Sequence, residues 1–321
     1  MPLLDPVTSA VFTMPILLGR YHGAYMNRRS FLRTVNALPV LSALPELADA
    51  QTPAKKWFRI SLAEWSLHKA IQSRLITNLD FPRIAREHFG IEGLEFVNQL
   101  WEAPTQSYVS RLKRNMQTAG TTGVLIMCDG EGMMGHSDQK QRLIAADNHR
   151  KWVDIAAELG CSAIRTNMYP EKQPAAPEEI DAFLKYCAES FTKLCDYAKG
   201  PKINVIIENH GGVSSNPDVV VRLMKMVNLP NFGTLPDFGN FPKEIDRYSA
   251  VEKLAPFAKG CSFKCLDFGP DGKETTMDLD RCMQIMAKSG YKGWVGIEYE
   301  GSRLPEFEGI QAAKRFLDRV S

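Results

Sequence analysis

The 321-residue chain carries 39 Lys+Arg against 37 Asp+Glu, with 44% hydrophobic and 24% charged residues. Such proportions exclude disordered, collagen-like and coiled-coil classes, and a net charge of +2 gives no basic excess of the kind nucleic-acid binders show. No apolar run reaches the ~18 residues of a membrane-spanning helix, and the length fits either two ordinary domains or one large barrel.

The first element in chain order is an address. Met26-Asn27-Arg28-Arg29-Ser30-Phe31-Leu32-Arg33 is basic, and a mostly apolar, uncharged run follows from Val35 to Pro45. Ala48-Asp49-Ala50 then precedes Gln51. A basic start, a short apolar middle and an A-x-A end are the parts of an export signal. The paired arginines before Ser-Phe-Leu resemble a twin-arginine signal. Residues 1–50 are therefore expected to be a signal region cleaved near Ala50, with export to the periplasm. Residues 1–25 match no part of a signal, as expected if translation starts at Met26. Without residues 1–50 the balance is 35 basic against 34 acidic residues, so no charged partner is implied.

All seven cysteines lie after residue 50, and no C-x-x-C pair occurs. A finger-type zinc site and a disulfide framework are both disfavoured. Free buried thiols agree with export in an already folded state.

Residues 51–321 alternate short apolar runs with longer amphipathic segments. The runs are Trp57–Ala63, Gly93–Val97, Gly123–Met127, Ser162–Thr166, Ile203–Ile207, Phe232–Leu235, Gly260–Leu266 and Trp294–Tyr299. They recur at the spacing of βα units. Eight units in about 250 residues predict an α/β fold, a single-domain (β/α)8 TIM barrel. The helices carry stop and start signals. Asp80-Phe81-Pro82 opens a segment closed by Gly90, Asn216-Pro217 precedes Val219–Val227, Ala176–Ala198 ends before Gly200, and Asp278–Ser289 ends at Gly290. No Pro/Gly/Ser linker divides the segment.

In such barrels chemistry sits where strands run into the following loops. The fourth run ends Ile164-Arg165-Thr166-Asn167, and the fifth ends Ile207-Glu208-Asn209-His210-Gly211-Gly212. Period-two alternation puts Glu208 and His210 on one side. The sixth ends Leu235-Pro236-Asp237-Phe238-Gly239-Asn240-Phe241, the seventh contains Ser262-Phe263-Lys264-Cys265, and the eighth reads Gly296-Ile297-Glu298-Tyr299-Glu300-Gly301. Burying ionisable groups in apolar runs is costly without a reason. Glu64, Trp65, Glu95 and Trp101, near the ends of the first two runs, are expected either to line a sugar pocket or to serve as core aromatics and rim salt bridges. No P-loop, dinucleotide fingerprint, G-x-S-x-G or H-E-x-x-H is present.

Residues 208–212, 235–241 and 290–301 resemble the xylose isomerase-like barrels, the superfamily of sugar and sugar-phosphate isomerases and epimerases. The resemblance covers nearly all of residues 57–321. It implies a divalent ion held by Glu208, Asp237 and Glu298, with the two glutamates as the proton-transfer pair. It also implies a histidine on the seventh strand and another three residues after the aspartate. Lys264 and Asn240 stand there instead. An ammonium is a poor ligand, so the cation facing the carboxylates is either Mn²⁺ or Mg²⁺, aided by His210, or Lys264 itself. The expected substrate-binding set is Arg165, Asn167, Asn240, Trp65 and Glu95.

The implied function is a sugar isomerase or epimerase acting through an enediolate on a free sugar or glycoside. The same enolate chemistry serves a keto-sugar lyase or hydratase, and a non-catalytic carbohydrate-binding barrel is the third alternative. A small carbohydrate is the expected partner, with no nucleic acid and no membrane after signal removal. The oligomeric state stays open, with a homo-oligomer compatible.

Overall fold

Strands buried on both faces read as continuous apolar runs, because helices cover one side and the barrel interior the other. The computed structural model describes residues 56–320, together with two short paired strands at Arg20–Tyr21 and Ala24–Tyr25. Residues 26–50, which carry the expected export signal, lie outside the described residues. All eight apolar runs form strands: β1 Arg59–Ala63, β2 Gly93–Val97, β3 Thr122–Met127, β4 Ala163–Thr166, β5 Asn204–Glu208, β6 Phe232–Leu235, β7 Ser262–Cys265 and β8 Trp294–Tyr299. They are parallel and hydrogen-bonded in the order β6-β5-β4-β3-β2-β1-β8-β7. Parallel bridges Thr234↔Ala258 and Asp237↔Ser262 bring the two free edges together. The Ser262 amide donates to the Pro236 carbonyl at 3.0 Å across that seam. The fold is a single-domain (β/α)8 barrel.

The helices are α1 His68–Gln72, α2 Phe81–Phe89, α3 Gln106–Ala119, α4 Gln139–Glu158, α5 Pro177–Ala198, α6 Pro217–Val227, α7 Arg247–Leu254, α8 Leu279–Lys288 and α9 Glu306–Arg319. Their ends follow the sequence punctuation. Gly90 closes α2 at φ +64°, a conformation that disfavours residues with a Cβ. The Asn216 side chain accepts from the Asp218 amide at 3.0 Å, and Asp278 accepts from the Arg281 amide at 3.0 Å. Those caps satisfy N–H groups that a helix start leaves unpaired. Glu306, the first residue of α9, accepts from the Lys69 and Ala70 amides at 2.7 and 3.0 Å. It ties the last βα unit to the first.

The core lies between strands and helices. Apolar side chains such as Leu62, Leu94, Ile126, Ile164, Ile206 and Ile297 are fully or almost fully buried. The seven cysteines are buried and free. Inside the barrel the packing depends on missing side chains. A Cβ on Gly296 would stand 2.2 Å from Glu95 Oε2, so the bare backbone of β8 makes the space that Glu95 fills.

Candidate active site

The strand ends bring three carboxylates to one place. Glu208 is the last residue of β5, Asp237 follows β6 by two residues, and Glu298 lies near the end of β8. All three are buried, and one oxygen from each lies within 4.8 Å of the others. Three carboxylates this close cannot all ionise cheaply, so their neighbours decide their state.

Arg165, on β4, supplies one positive charge. Its Nε lies 2.9 Å from Glu208 Oε2, near enough for an ion pair though off the line of a hydrogen bond. Its Nη1 and Nη2 reach the two Asp129 oxygens at 2.8 and 3.4 Å. Asn167 adds a 2.6 Å bond to Asp129 Oδ1. Lys264, on β7, supplies the second charge. Its Nζ stands 3.2 Å from Glu298 Oε1, 3.3 Å from Glu300 Oε1 and 3.0 Å from Asn240 Oδ1. Parallel pairing places Lys264 directly opposite Glu298. Gly239 makes room for the lysine stem, since a Cβ there would meet Lys264 Cγ at 2.7 Å.

The remaining oxygens are held by uncharged donors. Asp237 Oδ1 accepts the Gly239 and Asn240 amides, both at 2.8 Å. Ser262 Oγ is 2.6 Å from Asp237 Oδ2 and 3.0 Å from Glu298 Oε2, and its single proton serves one at a time. Asn240 Nδ2 donates to Glu208 Oε1 at 2.9 Å. Asn209 points the other way and exchanges two hydrogen bonds with the Asp237 backbone, fixing β5 against the end of β6.

Burial raises the pKa of both Glu208 and Asp237, against the pull of Arg165 on the first and Lys264 on the second. Burial works to lower Lys264, but Asp237, Glu298 and Glu208 outweigh it and hold the ammonium above its ordinary range. Lys264 therefore feels all three carboxylates. His210 is held below its ordinary value by burial and by Arg165, which keeps it neutral near pH 7. Its Nδ1 shares a 2.7 Å hydrogen bond with the Tyr169 hydroxyl.

A cleft of about 480 Å³ opens above these groups, lined by Trp65, Gln99, Tyr169, His210, Lys264 and Glu298, among others. That volume lies in the ~300–1,000 Å³ range of small-molecule sites. Arg165 and Asn240, two of the residues expected to bind substrate, also line it. Asn167 acts on Asp129 instead. Glu95 departs further from expectation. It does not line the cleft but sits inside the barrel, with Oε1 on the Ser61 hydroxyl at 2.6 Å and Oε2 unpartnered. Burial pushes its pKa up to about 8. His210, expected to aid a metal, stands outside the carboxylate cluster.

Sequence reading missed Asp129, Tyr169, Gln99, Ser262 and Glu300. Asp129 was within reach, because it follows the third apolar run by two residues. Tyr169 sits in a loop and Gln99 in the single 3-10 turn Asn98–Leu100 after β2, and neither carries a periodic signal.

The donor set suits a hard divalent ion: three carboxylates and no sulfur. Glu208, Asp237 and Glu298 could hold one, with the Lys264 ammonium competing for the same negative charge.

The sequence pattern described as "Xylose isomerase-like TIM barrel" matches residues 82–320. The chain belongs to that family. Solved barrels of the same architecture include a D-tagatose 3-epimerase-like protein, superposing with a TM-score of 0.66 at 16% identity over 82% of this chain and 98% of that one. A 3-keto-D-glucoside 4-epimerase from E. coli gives 0.62 at 17% identity over 75% and 94%. A xylose isomerase-like barrel from Mycobacterium smegmatis in complex with magnesium gives 0.58 at 15% over 82% and 95%. At such identities the likeness is one of fold. No curated protein matches the sequence significantly.

Proposed function

We propose that this xylose isomerase-like barrel is a sugar isomerase or epimerase, moving a proton next to a carbonyl of a free sugar or glycoside. The observation that carries the reading is the convergence of Glu208, Asp237 and Glu298 on Lys264, with Glu298 and Lys264 lining the cleft and Glu208 and Asp237 buried behind them. Family membership and the epimerases among the structural neighbours support it.

The chemistry follows from the site. Removing a proton alpha to a carbonyl needs a base, and the resulting enediolate needs positive charge beside its oxygens. Glu208 and Glu298 are the base and the acid, each taking and returning one proton. A carboxylate whose pKa is raised toward neutral exchanges protons well near pH 7; burial moves Glu208 that way. Arg165 and Asn240 keep the Glu208 carboxylate in place between them. Lys264 sets a fixed positive charge beside Glu298 and at the cleft wall, where a developing oxyanion would lie. Trp65 offers an aromatic face to a sugar ring. Mn²⁺ or Mg²⁺, held by Glu208, Asp237 and Glu298, would supply Lewis-acid polarisation of the carbonyl. The near-zero net charge accords with a neutral sugar, as does export through a twin-arginine signal at Met26–Ala50, the second part of the proposal.

The test is exchange of the substrate's alpha proton with deuterated solvent, followed by NMR over a panel of keto-sugars. Wild type should wash deuterium in, and Glu208→Gln should lose ~10²-fold or more. Equal exchange in the two chains would sink the assignment. Sugar binding without exchange in the wild type would favour a non-catalytic barrel. N-terminal sequencing of the exported protein tests the signal; a mature terminus well before Gln51 would reject it.

A further inference from the structure

The loops after β1 and β2 enclose a second cavity on the same face of the barrel, and it is larger than the first. It measures about 680 Å³ and is bordered by Gln72, Arg74, Thr77, Gln99, Trp101 and Glu102, among others. Gln99 borders both cavities, so this one lies next to the carboxylate cleft on the β2 side, with the exposed Gln99 side chain at their boundary. A single sugar ring reacting at Glu208 and Glu298 would leave it unfilled.

Its lining has the chemistry of a saccharide site. Trp101 is fixed as a wall by edge contacts to Phe96 and Trp152, with ring centroids 5.9 and 5.4 Å apart. Its indole N–H is buried without an acceptor. That donor is closed off from the open space, so Trp101 offers the cavity ring surface and no hydrogen bond. Gln72, Arg74, Gln99 and Glu102 are exposed at the rim and present amide, guanidinium and carboxylate groups. Charge decides between sugar classes. Arg74 and Glu102 face the same space with opposite signs, which matches a neutral polyol. A phosphate would call for a cluster of cations. By contrast the Asn78 amide is already committed to Glu64 and Tyr108 and serves as wall.

We infer that this cavity is a second saccharide subsite, so that the substrate is an uncharged glycoside or disaccharide whose reacting ring lies on the carboxylates and whose second ring lies against Trp101. The inference rests on the reading of the carboxylate cleft as a sugar site and adds the size and charge class of the substrate.

The experiment is isothermal titration of the full chain with fructose and with three ketose disaccharides, lactulose, turanose and isomaltulose. The same titrations follow on the Arg74→Ala/Glu102→Ala double variant, whose two changed residues are exposed. The expected result is at least tenfold tighter binding of one disaccharide than of fructose in the wild type. That ratio should fall below threefold in the double variant, with the melting midpoint preserved. Fructose binding with no disaccharide preferred overturns the subsite and leaves the sugar reading of the first cleft standing. A disaccharide preference untouched by the double variant places the second ring elsewhere and also overturns it. No binding by any of the four overturns the sugar reading of the first cleft and the subsite with it.

Discussion

Lys264 and Glu298 face each other across adjacent parallel strands, with Nζ 3.2 Å from Oε1. The same ammonium interacts with Asp237 and Glu208, so one lysine neutralises part of a three-carboxylate cluster from inside the barrel mouth. Breaking a buried pair of this kind by removing one partner costs ~3–5 kcal/mol. Lys264→Met should therefore lose stability by about that amount in chemical denaturation. It should also bind Mn²⁺ at least tenfold more tightly than the wild type in isothermal titration, since the competing charge is gone. Unchanged metal affinity would mean that the ammonium and the ion do not share a position.

Gly239 tests the same relationship from the other side. A Cβ there would lie 2.7 Å from Lys264 Cγ and 2.8 Å from Cδ, nearer than real contacts allow. Gly239→Ala should displace the lysine stem while leaving every ionisable group present. Alpha-proton exchange should fall roughly tenfold or more, because small misplacements of a catalytic group are costly. Exchange at the wild-type rate would argue that Lys264 does not act in the reaction.

Arg165 serves two carboxylates at once, pairing with Asp129 through Nη1 and with Glu208 through Nε. Lysine has a single charged nitrogen and no planar fork. Arg165→Lys should lose one of the two pairs, lower stability by about 2 kcal/mol or more, and reduce exchange through loss of Glu208 positioning. Wild-type stability in denaturant titration would show that the bridge contributes nothing.

Glu95 makes a pH prediction. Burial raises its folded-state pKa from the ordinary 4.5 to about 8, so the native chain keeps a proton that the unfolded chain releases. The associated stability is complete below about pH 4.5 and is lost as pH rises through about 8. Between pH 6 and pH 9 this group alone removes about 2–3 kcal/mol. Glu95→Gln should retain that amount, and its melting midpoint should fall less than the wild type's over the same interval. Parallel declines in the two chains would rule out Glu95 as the titrating group.

The sequence made the fold legible because a doubly covered parallel strand leaves a nearly uninterrupted apolar run. Pro82, Gly90, Asn216 and Asp278 then marked the helix ends by local chemistry alone. Glu208, Asp237, Lys264 and Glu298, which the fold brings together, were likewise conspicuous in the sequence, since an ionisable residue inside an apolar run stands out wherever the chain folds. Glu95 was misjudged for the same reason. The charge was visible, but the space beneath the cleft depends on Gly296, two hundred and one residues away in the chain.

What the sequence by itself determined was local: period, caps, and which ionisable groups interrupt apolar runs. Only the tertiary structure decided that Lys264 lies against Glu298, that Arg165 divides itself between Asp129 and Glu208, and that Gln99 borders two cavities. Those relationships run between neighbouring strands and loops, and closure of the barrel sets their distances. No residue's own type or spacing carries that information.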